Sequence, residues 1–158
     1  MLNAATTMKC FGRARESIPV FSHVARVYSS KLDPMDYRFA GLYNNMALTL
    51  TDLSHFSDAR GLYEKALGIL ASPEDAPEAA ITYLNLASLT EAEKGLEEGE
   101  AEIAAFCRNA RELLESYPHR DGNYAFVCEK CASVYGYYGF TDYANTLSER
   151  SRRIYEGT

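Results

Sequence analysis

Apolar residues recur at i, i+3, i+4 and i+7 through nearly every segment of this chain. No stretch alternates in the two-residue rhythm of a half-buried strand. Breakers divide the helical pattern into elements. Gly12 separates a first helix, about 2–11, from a second, about 13–30. Asp33 and Pro34 open a third over about 35–53, with proline suited to a first turn. Ser54 and His55 turn the chain into about 56–71. Ser72, Pro73 and Pro77 start a helix that runs to about 94, and Gly95 and Gly99 surround the turn into about 98–116. Tyr117 and Pro118 end that helix, Asp121 and Gly122 restart the chain, and Gly139 makes the last turn before about 141–156. The pattern predicts an all-α chain of eight helices in four antiparallel pairs, joined by short connections.

The pairs share one grammar. Tyr43 and Ala47 are followed by Ala59, Tyr63 and Ala66; Tyr83 and Ala87 by Ile103, Cys107 and Ala110; Cys128 and Ala132 by Gly139, Phe140 and Ala144. At the start, Asn3 and Ala5 precede Gly12, Ser17, Phe21 and Val24. The anchor alanines Ala5, Ala47, Ala87 and Ala132 are 42, 40 and 45 residues apart. A period in this range means stacked supersecondary units, each burying the face its neighbour leaves bare. The 158 residues read as a single repeat domain, with repeats at about 1–31, 35–71, 75–116 and 121–156.

An aromatic residue, a small residue four on, an alanine about twelve later, then an aromatic and a second alanine form a pattern that resembles the tetratricopeptide repeat. Tyr43, Ala47, Ala59, Tyr63 and Ala66 carry it best. The usual repeat is about 34 residues long. The longer period here is similar to that of the kinesin light chains and many bacterial repeat proteins. The resemblance covers essentially the whole chain and is weakest in the last copy, where Ser148 and Ser151 occupy apolar positions. It implies a right-handed superhelical solenoid in which the first helix of each pair lines a concave wall. The residue two before each anchor alanine then faces the groove: Asn3, Asn45, Asn85 and Lys130. Three asparagines at one register are not favoured by helix propensity. Their amides each offer donors and an acceptor, and the resemblance implies a grip on the main chain of an extended peptide. Asp52 and Tyr137 extend this candidate peptide-binding wall, and for Phe126 ordinary core or groove-lining packing is expected.

Charge and cysteine content narrow the function. A net charge of −6 and a pI near 5.1 exclude the basic surface that nucleic acid demands. Six glutamates between Glu91 and Glu102 read as the solvated face of a helix-turn-helix. No apolar run approaches the roughly 20 residues of a membrane span, and no signal peptide is visible. Cys128 and Cys131 are spaced like a redox or zinc pair, yet neither a βαβ context nor a second ligand pair accompanies them. With Cys10 and Cys107 they read as four reduced thiols, two of them packing residues. His23, His55 and His119 lie in three different repeats without nucleophilic companions. The expectation is a cytoplasmic, non-catalytic scaffold that needs no cofactor or metal and binds a protein or peptide. The alternative is a structural or self-assembly module, the C-terminal part of a longer regulatory protein whose other domain carries the activity.

The two ends differ. The last helix is polar at Thr146, Ser148, Glu149, Arg150, Ser151, Arg152 and Arg153, which suits a solvent-facing cap. Ala144, Leu147, Ile154 and Tyr155 are left to pack inward. The opening stretch, Met1 to Met8, carries no charged side chain. It predicts cover by another molecule, such as a homodimer through the first repeat, or by a preceding segment.

Overall fold

The computed structural model describes residues 14–157, and all of its regular structure is helical. The helices are α1 (Ala14–Ser29), α2 (Tyr37–Asp52), α3 (Phe56–Ile69), α4 (Ala76–Ser116), α5 (Gly122–Tyr137) and α6 (Thr141–Glu156), with a 3-10 turn at Pro73–Asp75. The described residues thus hold six helices where the sequence predicts eight in the whole chain. The first predicted helix, with Asn3, Cys10, Gly12 and the predicted homodimer contact through it, lies outside the described residues. The fifth and sixth are one element, α4, interrupted only at Gly95, whose backbone is non-helical (φ 81°, ψ 170°).

That single residue reverses the chain. The Tyr83 and Phe106 ring centroids are 6.2 Å apart, although a straight helix would separate these positions by about 34 Å. The first arm, 76–94, and the second, 96–116, form an antiparallel hairpin. Outside its mouth, Arg60 of α3 bonds Glu93 and Glu102 at 2.8 Å each, and Lys94 bonds Glu102 at 2.8 Å. The other two reversals share a different geometry. Ser54 (φ 62°) and Gly139 (φ 83°) follow α2 and α5 in the left-handed region, and the next amides, His55 and Phe140, return to Leu50 O (2.8 Å) and Tyr135 O (2.9 Å). This six-to-one bond closes a helix C-terminus. Asp36 rather than Pro34 starts α2: its carboxylate accepts from Arg38 N at 3.0 Å, while Asp33 and Pro34 form a turn before it.

Packing is sequential. By backbone approach, α1 neighbours α2, α2 neighbours α3 and the α4 hairpin, and α4 neighbours α5, which pairs with α6. The anchor alanines Ala47, Ala87 and Ala132 are buried, as are Ala59, Tyr63, Ala66, Ile103, Cys107, Ala110 and Ala144. Small residues let the helix axes close to packing distance, and the large ones fill the remaining space. In α6 the inward set is Tyr143, Ala144, Leu147 and Ser151, with Ile154 half-buried. Tyr155, expected inside, is 59% exposed. It sits one position beyond the inward stripe that ends at Ile154.

Tyrosines join the layers. The Tyr135 hydroxyl donates to Cys107 O at 2.7 Å and the Tyr124 hydroxyl to Leu114 O at 3.2 Å, both buried. Tyr143 donates to Glu115 at 2.7 Å, and Arg150 grips the same carboxylate at 2.7 and 2.9 Å. Tyr63 is the exception: among the described residues no hydrogen-bond partner meets its buried hydroxyl within bonding geometry.

Two sets of variants check these assignments by urea denaturation. Gly95→Ala should lose about 1–3 kcal/mol, since that backbone region is open to glycine almost alone. Ser54→Gly should gain about 1 kcal/mol by relieving a left-handed serine. Tyr135→Phe should lose about 1 kcal/mol by removing the buried bond from its hydroxyl to Cys107 O, while Tyr63→Phe removes an unsatisfied hydroxyl and should be neutral or stabilising.

Candidate functional site

Residues one helical turn apart share a face, and three helices turn such faces toward one another. Leu48 of α2, Ile81, Leu84 and Asn85 of the first α4 arm, and Lys130, Cys131 and Val134 of α5 line a cavity of about 250 Å³. These are the first helices of three successive hairpins. The lining is apolar apart from one amide and one ammonium, and the volume falls below the roughly 300–1,000 Å³ of small-molecule pockets. It suits one apolar side chain of a chain-like ligand.

The sequence-predicted residues divide around this cavity. Asn85 and Lys130 line it together with Leu48 and Ile81. Asn45 is half-buried on α2, where its amide donates to Gly41 O of its own helix at 2.8 Å. Asp52 is exposed at the end of α2; burial raises the Tyr63 phenol pKa, and the Asp52 charge adds to that rise. Tyr137 is 65% exposed and belongs to another trough, beside Leu96 and Phe140. Its hydroxyl donates to Glu91, as does that of Tyr138 at 2.9 Å, and the carboxylate holds the Tyr137 phenol above its usual range.

Asn44, which sequence reasoning passed over, makes the inter-helix contact. Its Nδ2 donates to Ala40 O (3.2 Å) and across to Thr82 Oγ1 (2.9 Å), while its Oδ1 accepts from Asn85 Nδ2 (3.3 Å). This ladder fixes the Asn85 amide plane. Among the described residues nothing donates to the Asn85 carbonyl oxygen, so the residue keeps an unspent acceptor where it lines the cavity. Phe126 is no core residue. It is 48% exposed, with the Lys130 ammonium 4.6 Å from its ring centroid. One helical turn separates the two, and a cation over an aromatic face is an attractive arrangement. It leaves the ammonium beside the cavity with its donors available.

The cysteines have a packing environment. Cys107, Cys128 and Cys131 are free thiols in the largest apolar cluster. Burial pushes Cys107 up to about 11 and Cys131 up to about 12, and raises Cys128. Among the described residues no group of three or more His, Cys, Asp or Glu side chains is arranged to hold a metal ion. No described helix is long and apolar enough to cross a membrane.

Only thiolate attacks a disulfide reagent. A Cys10→Ser variant, which removes the cysteine outside the described residues, should therefore react with Ellman's reagent at pH 8 about a hundred-fold more slowly when folded than in guanidinium. A thiol titrating within seconds in the native protein would contradict the burial of all three. In comparisons with known proteins, no family model matches this chain, and no curated protein matches it.

Proposed function

We propose that this chain is a non-catalytic peptide- or protein-binding scaffold of the tetratricopeptide kind, whose helical hairpins continue one another as a right-handed solenoid. The supporting observation is the cavity shared by Leu48, Ile81, Asn85 and Lys130, four positions that the repeat register places on one inner wall. Its chemistry matches an extended main chain. The Asn85 carbonyl oxygen accepts a peptide N–H, the Lys130 ammonium donates to a carbonyl, and the apolar lining takes one side chain. Asn44 and Thr82 hold the acceptor in place, so little rotamer entropy is lost on binding. The sequential packing of α1 to α6 supports the solenoid reading, since each unit approaches only its neighbours. Free buried thiols are what a reducing cytoplasm preserves.

Selection of a random peptide display library on the immobilised protein tests this role. Wild type should enrich sequences with one apolar anchor and micromolar affinity. Asn85→Ala with Lys130→Ala should weaken the selected peptides about ten-fold or more while leaving the melting temperature within a few degrees, because both residues line the cavity and neither belongs to the buried core. Peptides that bind the double variant equally well would place recognition elsewhere.

A further inference from the structure

The second arm of α4 carries a stripe that the groove does not use. Glu97, Glu100, Ala104, Arg108 and Arg111 follow one another at three- and four-residue steps, so they lie along one face of the helix. The four charged residues are exposed and Ala104 is half-buried. Two cavities, of about 550 and 230 Å³, meet at Ala104 and Phe140 and form one trough along this face. Glu97 and Glu100 line the first cavity, Arg108 and Arg111 the second.

The charges are sorted by sign, and among the described residues they are free of ion pairs. Neighbouring carboxylates are engaged: Glu93 and Glu102 by Arg60, Glu91 by two tyrosines, Glu115 by Arg150. Among the described residues none of the four stripe charges forms an ion pair, and Arg111 rests on the Tyr143 ring, 4.4 Å from its centroid. Two like-charged pairs three residues apart are mildly unfavourable on an isolated helix face. The order is also symmetric about Ala104. Glu97 and Arg111 stand seven residues to either side, Glu100 and Arg108 four. Laid antiparallel on itself across a two-fold axis at Ala104, the stripe sets Glu97 against Arg111 of a second copy and Glu100 against Arg108. Four opposite-charge pairs result, with a small residue where the helices cross most closely.

We propose that this face is a self-complementary dimer interface, and that its occupant is the same face of a second copy of this chain. Leu96, Tyr137 and Phe140, exposed at 52%, 65% and 40%, supply an apolar border around the paired charges. A foreign basic helix would satisfy only the acidic half and an acidic one only the basic half; the chain's own arm satisfies both. The face lies on the second arm of the hairpin, away from the cavity lined by Asn85 and Lys130, so the proposal does not rest on the peptide-binding reading.

Sedimentation equilibrium of the full chain at low and high salt provides the test. Wild type should dimerise at about 100 μM, well above the micromolar Kd of a transient interface, and less so in high salt. Glu97→Lys/Glu100→Lys gives an all-positive stripe and Arg108→Glu/Arg111→Glu an all-negative one. Each alone should lose self-association by ten-fold or more with an unchanged circular dichroism spectrum. An equimolar mixture of the two should form a heterodimer, and the quadruple variant should recover the homodimer. A wild type that stays monomeric, variants that dimerise as well as wild type, or a mixture that remains monomeric would each overturn the proposal.

Discussion

A helix of 41 residues drawn out straight would extend about 60 Å and leave most of its apolar face in water. The reversal at Gly95 removes that problem and thereby positions everything else. Folding the two arms together sets Leu84 and Ala87 against Ile103 and Cys107, and Ala80 in the same cluster as Leu114. The hairpin then offers a surface on either side. Leu86 and Leu89 join Ala47, Ala59 and Tyr63 of the preceding pair, while Cys128, Tyr135 and Leu147 of the following pair join the larger cluster. Each side needs the other for burial, so the central hairpin is the common member through which α2 and α3 are tied to α5 and α6.

Side-chain chemistry adds direction to that packing. Apolar contacts alone leave a helix free to slide along its neighbour at little cost, because burial is non-directional. The Tyr135 and Tyr124 hydroxyls end on particular carbonyls, Cys107 O and Leu114 O, one seven residues beyond the other on the second arm. Seven residues is nearly two turns, so both tyrosines address one face and one register. Glu115 then receives Tyr143 and Arg150 of α6. The abundance of tyrosine, 12 residues against no tryptophan, has a structural use: a ring that fills a gap between helices and a hydroxyl that specifies where along the helix the gap lies.

The helix boundaries and the buried motif positions were legible in the sequence. Among the described residues, observed ends fall within about two residues of those that Gly, Pro and Ser breakers predict, and Ala47, Ala87 and Ala132 are buried. What resisted prediction turns on the rotation of a helix about its own axis. Asn44 and Asn45 are chemically identical and adjacent, and 100° of rotation sends one amide across to Thr82 while the other returns to Gly41 O. Tyr155 departs in a similar way: expected to pack inward, it lies one position off the inward stripe of α6 and is exposed. Periodicity locates a face to within a turn; only the neighbour's position settles which of two adjacent residues it touches.

The same rotation separates two kinds of polar surface on the α4 hairpin. On the first arm, Thr82 and Asn85 spend their polarity on Asn44, and what remains is one oriented acceptor in an apolar cavity. On the second arm, the charges are sorted by sign along 15 residues, from Glu97 to Arg111. Segregated charge of this kind is a poor device for intrachain stability, since interleaved Glu and Arg at four-residue spacing would pair within the helix. The chain does use that interleaved device on α6, where Arg153 pairs with Glu149 and Arg152 with Glu156. A helix laced with its own ion pairs has little unmet charge to offer another molecule. On the second arm of α4, Glu102 and Glu115 are paired, whereas Glu97, Glu100, Arg108 and Arg111 form no ion pair among the described residues and lie beside a trough with exposed Leu96 and Phe140. The contrast within one short chain separates a helix laced with its own ion pairs from an arm whose outer stripe forms none among the described residues.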